Sequence, residues 1–309
     1  MKDELMGTAV NAAAIDVENP SSASAVKKAG GRLVKTACQL CGAIDERPVT
    51  AQNGWSIVRC ARCSFVYVNP RPDNETLARL YLKYLPDKMA DPLAWDTYMR
   101  EVFSKAADVI IRHKPGGRLI DIGCGYGFFL AEMKRRGGWN LDGMDVSTTA
   151  TDYAASQGFR ITQGTLETVG YPDASFDAVT MFYVLEHVTD PAGVLAEVRR
   201  ILKPGGMLLL RVPHTTPIVQ FLKVFGIRNN LYDPPFHLSD FSAATIKRLL
   251  EQGGFTNIHT SIGGVTRPPE LLKGLTTAAF GIIAEAAYRL SRGRIAMAGV
   301  AKNTVAFKP

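Results

Sequence analysis

Four cysteines and three glycines stand at spacings that carry chemistry. Cys38 and Cys41 form one Cys-x-x-Cys pair and Cys60 and Cys63 another, with eighteen residues between the pairs. A two-residue gap lets both sulfurs of a pair reach one tetrahedral ion, and an intervening hairpin brings the second pair over. The spacing therefore predicts a four-thiolate zinc site. Four thiolates leave no open position for water or substrate, so the expected site is structural. The glycines are Gly123, Gly125 and Gly127, which follow the apolar run LIDIG directly. They permit a tight turn and let a ligand approach the backbone. A nicotinamide fingerprint would carry its third glycine one residue later, where this chain has Phe128. The next apolar segment, WNLDGMDVS, ends near Asp145, and a carboxylate there can accept from both hydroxyls of a ribose.

Histidines supply the remaining candidates. His187 follows the apolar run FDAVTMFYV, at the carboxyl edge where ligands bind in open parallel sheets. It is the candidate base, and ordering the local loop is the other role open to it. His237 in PPFHLSDFS precedes a helix start that Ser239 or Ser242 could cap, so a substrate role and a backbone-ordering role are both open. His214 is a third candidate, while His113 and His259 read as surface positions.

The elements that must hold these residues can be read in order. LIDIG is a strand and CGYGFFLAEMKRRG the helix after it. FRITQG is a third strand, followed by Thr165-Leu166-Glu167, and FDAVTMFYV a fourth. After the turn LKPGG, MLLLRVP makes a fifth strand; a helix over 241–253, the strand NIHTSIGG and a last strand NTVAFKP complete the set. Strands alternating with helices predict a doubly wound α/β fold. Upstream, NPRP at 69–72 stops the ribbon, and DNETLARLYLKYL has helical periodicity through Leu77, Leu80, Tyr81 and Tyr84. A second helical run covers 95–113. The expected divisions are a disordered tail over 1–33, a zinc ribbon over 34–72, a helical linker or lid over 73–115 and the main domain over 116–309.

The chain has 309 residues, 46% of them hydrophobic and 21% charged, which suits a globular protein with a sizeable core. Its net charge of +7 comes without a dense Lys/Arg run and reads as a solvated basic surface. The amino terminus lacks the apolar core of a signal peptide, and its KDEL lies at the wrong end for a retention address. A cytoplasmic protein is expected, in keeping with unpaired thiols. Between the sixth and seventh strands lies an insertion over 266–298, in which the eleven uncharged residues GLTTAAFGIIA precede Arg289, Arg292 and Arg294. It is expected to be a helical lid, with peripheral membrane contact as the other use of an apolar face rimmed by arginines.

Taken in order, DIGCGYGFF, GMDVS, GTLE, FDAVTMFYVLEHVTDP and LKPGGMLLLRVP resemble the class I S-adenosylmethionine-dependent methyltransferases. The ribbon and its exit FVYVNPRP resemble a subgroup, of methyltransferase type 11 or 23, in which a zinc ribbon comes first. The resemblance implies a Rossmann-like, seven-stranded, mostly parallel sheet whose last strand is antiparallel. It implies that Asp121 and the turn of Gly123, Cys124, Gly125 and Gly127 face the methionine part of the cofactor. Asp145 would hold the ribose, Val146 would touch adenine, Thr165 and Leu166 would lie at the adenine edge and Phe182 near the sulfonium. Many relatives carry an acid where Thr165 stands. The implied activity is methyl transfer to an oxygen of a small molecule or glycan, with C-methylation of a sugar as a variant. A ribosomal or transfer RNA methyltransferase is the second reading, allowed by the basic charge and the ribbon. Against it, no N/D-P-P-Y/F signature follows the fourth strand and no cysteine is left to attack a pyrimidine. A non-catalytic binding protein is the third, opposed by the intact glycine turn and Asp145.

Overall fold

The computed structural model describes residues 22–88, 92–264 and 301–309, with 266, 282, 283, 286, 290 and 291, excepting the side chains of 82–88. Most of the tail over 1–33 and of the insertion over 266–298 lies outside the described residues. The chain begins with α1 (Ala23–Lys28), β1 (Leu33–Val34), β2 (Glu46–Gln52), β3 (Trp55–Cys60), β4 (Val66–Val68) and β5 (Arg71–Pro72). Two helices follow, α2 (Asn74–Lys88) and α3 (Pro92–His113). Then come β6 (Gly117–Ile122), α4 (Phe128–Arg136), β7 (Trp139–Asp145), α5 (Thr148–Ser156), β8 (Arg160–Gln163), α6 (Leu166–Val169) and β9 (Phe176–Phe182). A single 3-10 turn over Leu185–His187 leads to α7 (Pro191–Ile201), β10 (Leu202–Val212) and α8 (Thr216–Val224). The chain ends with β11 (Ser239–Asp240), α9 (Ala243–Gln252), β12 (Thr256–Ile262) and β13 (Lys302–Phe307).

The main sheet has seven strands in the order β12-β13-β10-β9-β6-β7-β8. Pairings from β10 through β8 are parallel, and β13 runs antiparallel to both neighbours. This is the doubly wound, mostly parallel architecture expected. Parallel strands covered on both faces are apolar on both, which is why β9 carries Ala178, Val179, Met181 and Phe182 and β10 carries the run Met207 to Leu210. From β6 the chain builds outward through β7 and β8, then returns to place β9 on the other side of β6. That reversal opens a crevice outside the carboxyl ends of β6 and β9.

Two cores flank the sheet. On one face α3 buries Val102, Ala106 and Ile110 with Phe129 and Leu130 of α4 against Leu119, Ala178 and Leu209. On the other, Ile120, Val179 and Leu208 pack with Leu195 and Val198 of α7 and with Cys38, Phe65 and Tyr67 of the ribbon. The ribbon's antiparallel sheet, β11-β4-β3-β2, is completed by β11, which pairs Ser239 with Tyr67 and Asp240 with Val66. Ser239 thus lies in a strand, and Ser242 alone caps α9, in a reciprocal box with Thr245. LKPGG, expected as a turn before the fifth strand, falls inside β10 as a register break between Leu202 and Met207.

Candidate active site

The glycine turn sits in the crevice, with Gly123, Gly125 and Gly127 at φ +72°, +52° and +77°. Gly123 N and Cys124 N donate to Met144 O at 2.7 and 3.0 Å, which ties the turn to the end of β7. A Cβ on Gly123 would lie 2.3 Å from Val184 Cγ2, so the turn also presses on the loop after β9. Asp145 is oriented by the same backbone: Oδ2 accepts from Gly125 N at 2.8 Å and Oδ1 from Ser147 N at 2.9 Å. Burial raises its pKa, and the amides of Ser147, Gly125 and Val146 pull it back. Val146 beside it is half exposed. Thr165 caps α6 in a box with Thr168, while Leu166 is buried. Phe182 is buried between Phe103 and Phe129, with ring centroids 5.2 and 4.7 Å away. The Cys124 thiol is buried, and its pKa is driven well above the ordinary range by burial.

Asp121 lies one layer below the turn. It is buried, accepts from Thr180 Oγ1 at 2.7 Å, and has its pKa raised to about 8. Burial is the main cause; the Thr180 hydrogen bond opposes it and the Asp145 charge adds to it.

On the β9 side, the structure brings together His187 and His237, their ring centroids 4.7 Å apart. His187 Nδ1 lies 2.9 Å from Tyr81 Oη and 3.1 Å from Phe236 O. Tyr81 Oη also donates to Phe236 O at 3.1 Å, so one carbonyl anchors both the hydroxyl and the imidazole. Glu186 joins the pair: one ligand atom from each of Glu186, His187 and His237 lies within 4.8 Å of the others. Both Glu186 carboxylate oxygens are buried without a hydrogen-bond partner among the described residues. Burial lifts its pKa to about 8, opposed by its own backbone amide. Sequence reasoning missed Glu186 and Tyr81. Glu186 stood inside the quoted motif, an acid between apolar neighbours, and Tyr81 was counted as an apolar helix position. His214 sits apart from this pair, with Nδ1 2.6 Å from Lys302 Nζ, and burial with the Lys302 charge lowers its pKa to about 4. His113 and His259 are exposed.

The four ribbon cysteines have converged. Their sulfurs lie within 4.8 Å of one another, with Cys38–Cys63 and Cys41–Cys60 each at 3.5 Å, too far apart for disulfides. The two knuckles share one backbone form: Gly42 N donates to Cys38 O and Ser64 N to Cys60 O, with Gly42 and Ser64 both left-handed. Four converging thiols are the donor set that zinc takes in closed tetrahedral sites, so the residues present fit that ion.

A family model described as "Methyltransferase domain" matches residues 95–260. A probable S-adenosylmethionine-dependent methyltransferase of Mycolicibacterium smegmatis is 31% identical over 151 residues, 47% of this chain and 54% of that protein. A ubiquinone biosynthesis O-methyltransferase of Xanthomonas oryzae is 34% identical over 119 residues, 36% of this chain and 49% of that protein. The chain thus spans about half the length of these curated relatives. Among solved structures, an S-adenosylmethionine-dependent methyltransferase of Thermotoga maritima shares the fold at a TM-score of 0.50. It is 18% identical, over 75% of this chain and 99% of that one.

Proposed function

The chain belongs to the methyltransferase-domain family, and from that premise we propose that it is an enzyme which methylates a hydroxyl of a small molecule or glycan, using S-adenosylmethionine. The observation that carries the proposal is the glycine turn locked against Asp145 at the reversal of strand order. A side chain at Gly123 would strike Val184, so the turn packs directly against the loop after β9. Gly123, Gly125, Gly127, Asp145, Val146 and Thr165 would hold the cofactor, with Asp121, Leu166 and Phe182 buried behind them. When bound, the cofactor supplies an electrophilic methyl on a sulfonium, which the acceptor oxygen takes as the carbon–sulfur bond breaks and sulfur keeps the electron pair.

The chain's own residues align the acceptor and remove its proton. His187 is the proposed base, its ring oriented at Nδ1 by the Tyr81 hydroxyl and the Phe236 carbonyl. It lies three residues past Val184, the side chain that abuts the glycine turn. The O-methyltransferase name of one relative supports an oxygen acceptor. The ribbon cysteines are proposed to bind one structural zinc ion. Among the described residues no helix is long and apolar enough to cross a membrane.

Calorimetric titration of the zinc-loaded protein with S-adenosylhomocysteine tests the cofactor assignment. Asp145→Ala is expected to weaken binding by about tenfold or more, the loss of a charged hydrogen-bond acceptor. His187→Ala should leave that affinity within about twofold while lowering turnover by about a hundredfold or more. Unchanged turnover would remove His187 from the chemistry.

A further inference from the structure

A buried carboxylate normally collects donors, because leaving one bare is costly. Asp240, whose charge acts on Glu186, shows the ordinary solution in this fold. Its Oδ1 accepts from Thr215 N at 2.6 Å, and its Oδ2 from Thr216 N at 2.9 Å and Thr216 Oγ1 at 2.5 Å. Glu186 is fully buried and receives no such donor among the described residues. Its backbone is nevertheless held firmly, since Leu238 N donates to Glu186 O at 2.8 Å. That bond joins the turn after β9 to the segment carrying His237.

The two imidazoles face this carboxylate in a manner that suits a ligand set. His187 Nδ1 lies against the Tyr81 hydroxyl and the Phe236 carbonyl, which fixes the ring. Imidazoles that bind metals are held in this way, with the far nitrogen donating to a carbonyl or hydroxyl. His237 follows Phe236 directly, and its backbone N–H donates to Asp233 O at 3.2 Å.

We propose that Glu186, His187 and His237 form a second metal site, which takes a divalent first-row cation such as Mn2+ or Zn2+. One carboxylate and two imidazoles leave coordination positions open, unlike the closed set of four thiolates in the ribbon. The role of the cation rests on the O-methylation reading. An acceptor hydroxyl at an open position loses its proton to solvent, and the cation stabilises the charge left on oxygen without any change of oxidation state. With the cation bound, His187 is its ligand and the hydroxyl proton goes to solvent; with the site empty, His187 keeps the role of base.

The test is titration of zinc-loaded protein with Mn2+, followed by calorimetry and by the electron paramagnetic resonance of the bound ion. Mn2+ prefers oxygen and nitrogen ligands, so it reads this site without displacing zinc from the thiolates. One equivalent is expected to bind and to raise the Tm. Glu186→Gln and His237→Ala should each weaken binding by about tenfold or more. Without Mn2+ and above pH 8, Glu186→Gln should be at least as stable as the parent, because there it removes a bare buried charge. The proposal is overturned if folded protein takes up no Mn2+ and no Zn2+ beyond the ribbon's equivalent, or if Glu186→Gln binds Mn2+ like the parent. Titration with S-adenosylhomocysteine and methyl-transfer assays on the same samples separate the two readings. Cofactor binding without Mn2+ binding removes the cation and leaves the methyltransferase. Glu186-dependent Mn2+ binding without transfer to any hydroxyl acceptor keeps the metal site and removes the O-methylation reading.

Discussion

Asp121 illustrates how much a single buried group can report. With its pKa raised to about 8 by burial, it holds a proton in the folded protein that the unfolded chain releases near 3.8. Between those values the native state binds more protons, so this group's contribution to stability is full at low pH and is lost as pH rises through 8. The cofactor-free protein should therefore lose Tm between pH 5 and pH 8, and Asp121→Asn should flatten that slope. A cationic ligand placed above the turn favours the ionised carboxylate. Binding of S-adenosylmethionine near pH 7 should then release a proton, detected by calorimetry in buffers of different ionisation enthalpy and absent in Asp121→Asn. Asp121 was singled out by the motif that carries the resemblance. Its protonation was not, since that depends on neighbours such as Thr180, 59 residues away in sequence.

At the scale of elements, the turn between β6 and α4 and the pairing of β4 with β11 decide the geometry. Gly123 combines a left-handed backbone with contact against Val184, a side chain that is stiff at its first torsion. Gly123→Ala should cost about 2 kcal/mol or more in urea denaturation, from backbone strain and the clash together. Val184→Ala in the same chain should recover the clash component and leave the strain. The Gly-x-Gly-x-Gly spacing announced this turn, because only glycine reaches those torsions easily. The pairing of β4 with β11 had no sequence signal. Ser239 and Asp240 form a two-residue strand whose partner lies more than 170 positions earlier, and local periodicity says nothing about such a partner.

Across the whole molecule, the ribbon and the methyltransferase domain share a core. Cys38, Cys60, Phe65 and Tyr67 belong to the same packed group as Ile122, Val179 and Leu210. Replacing Cys41 with Ser, or removing the proposed zinc with a chelator, should lower the midpoint of one cooperative unfolding transition. A separate early ribbon transition that left S-adenosylhomocysteine affinity intact would show that the ribbon melts alone. Composition and motif order were enough to read the strand succession and the convergence of the four cysteines, because each rests on local rules of spacing, chirality and turn chemistry. Glu186 beside His237, Tyr81 on His187 and the merging of ribbon and domain were settled only by the tertiary structure. Each joins segments dozens of residues apart, and such partners are chosen by packing and desolvation, which act across space and leave no period in the chain.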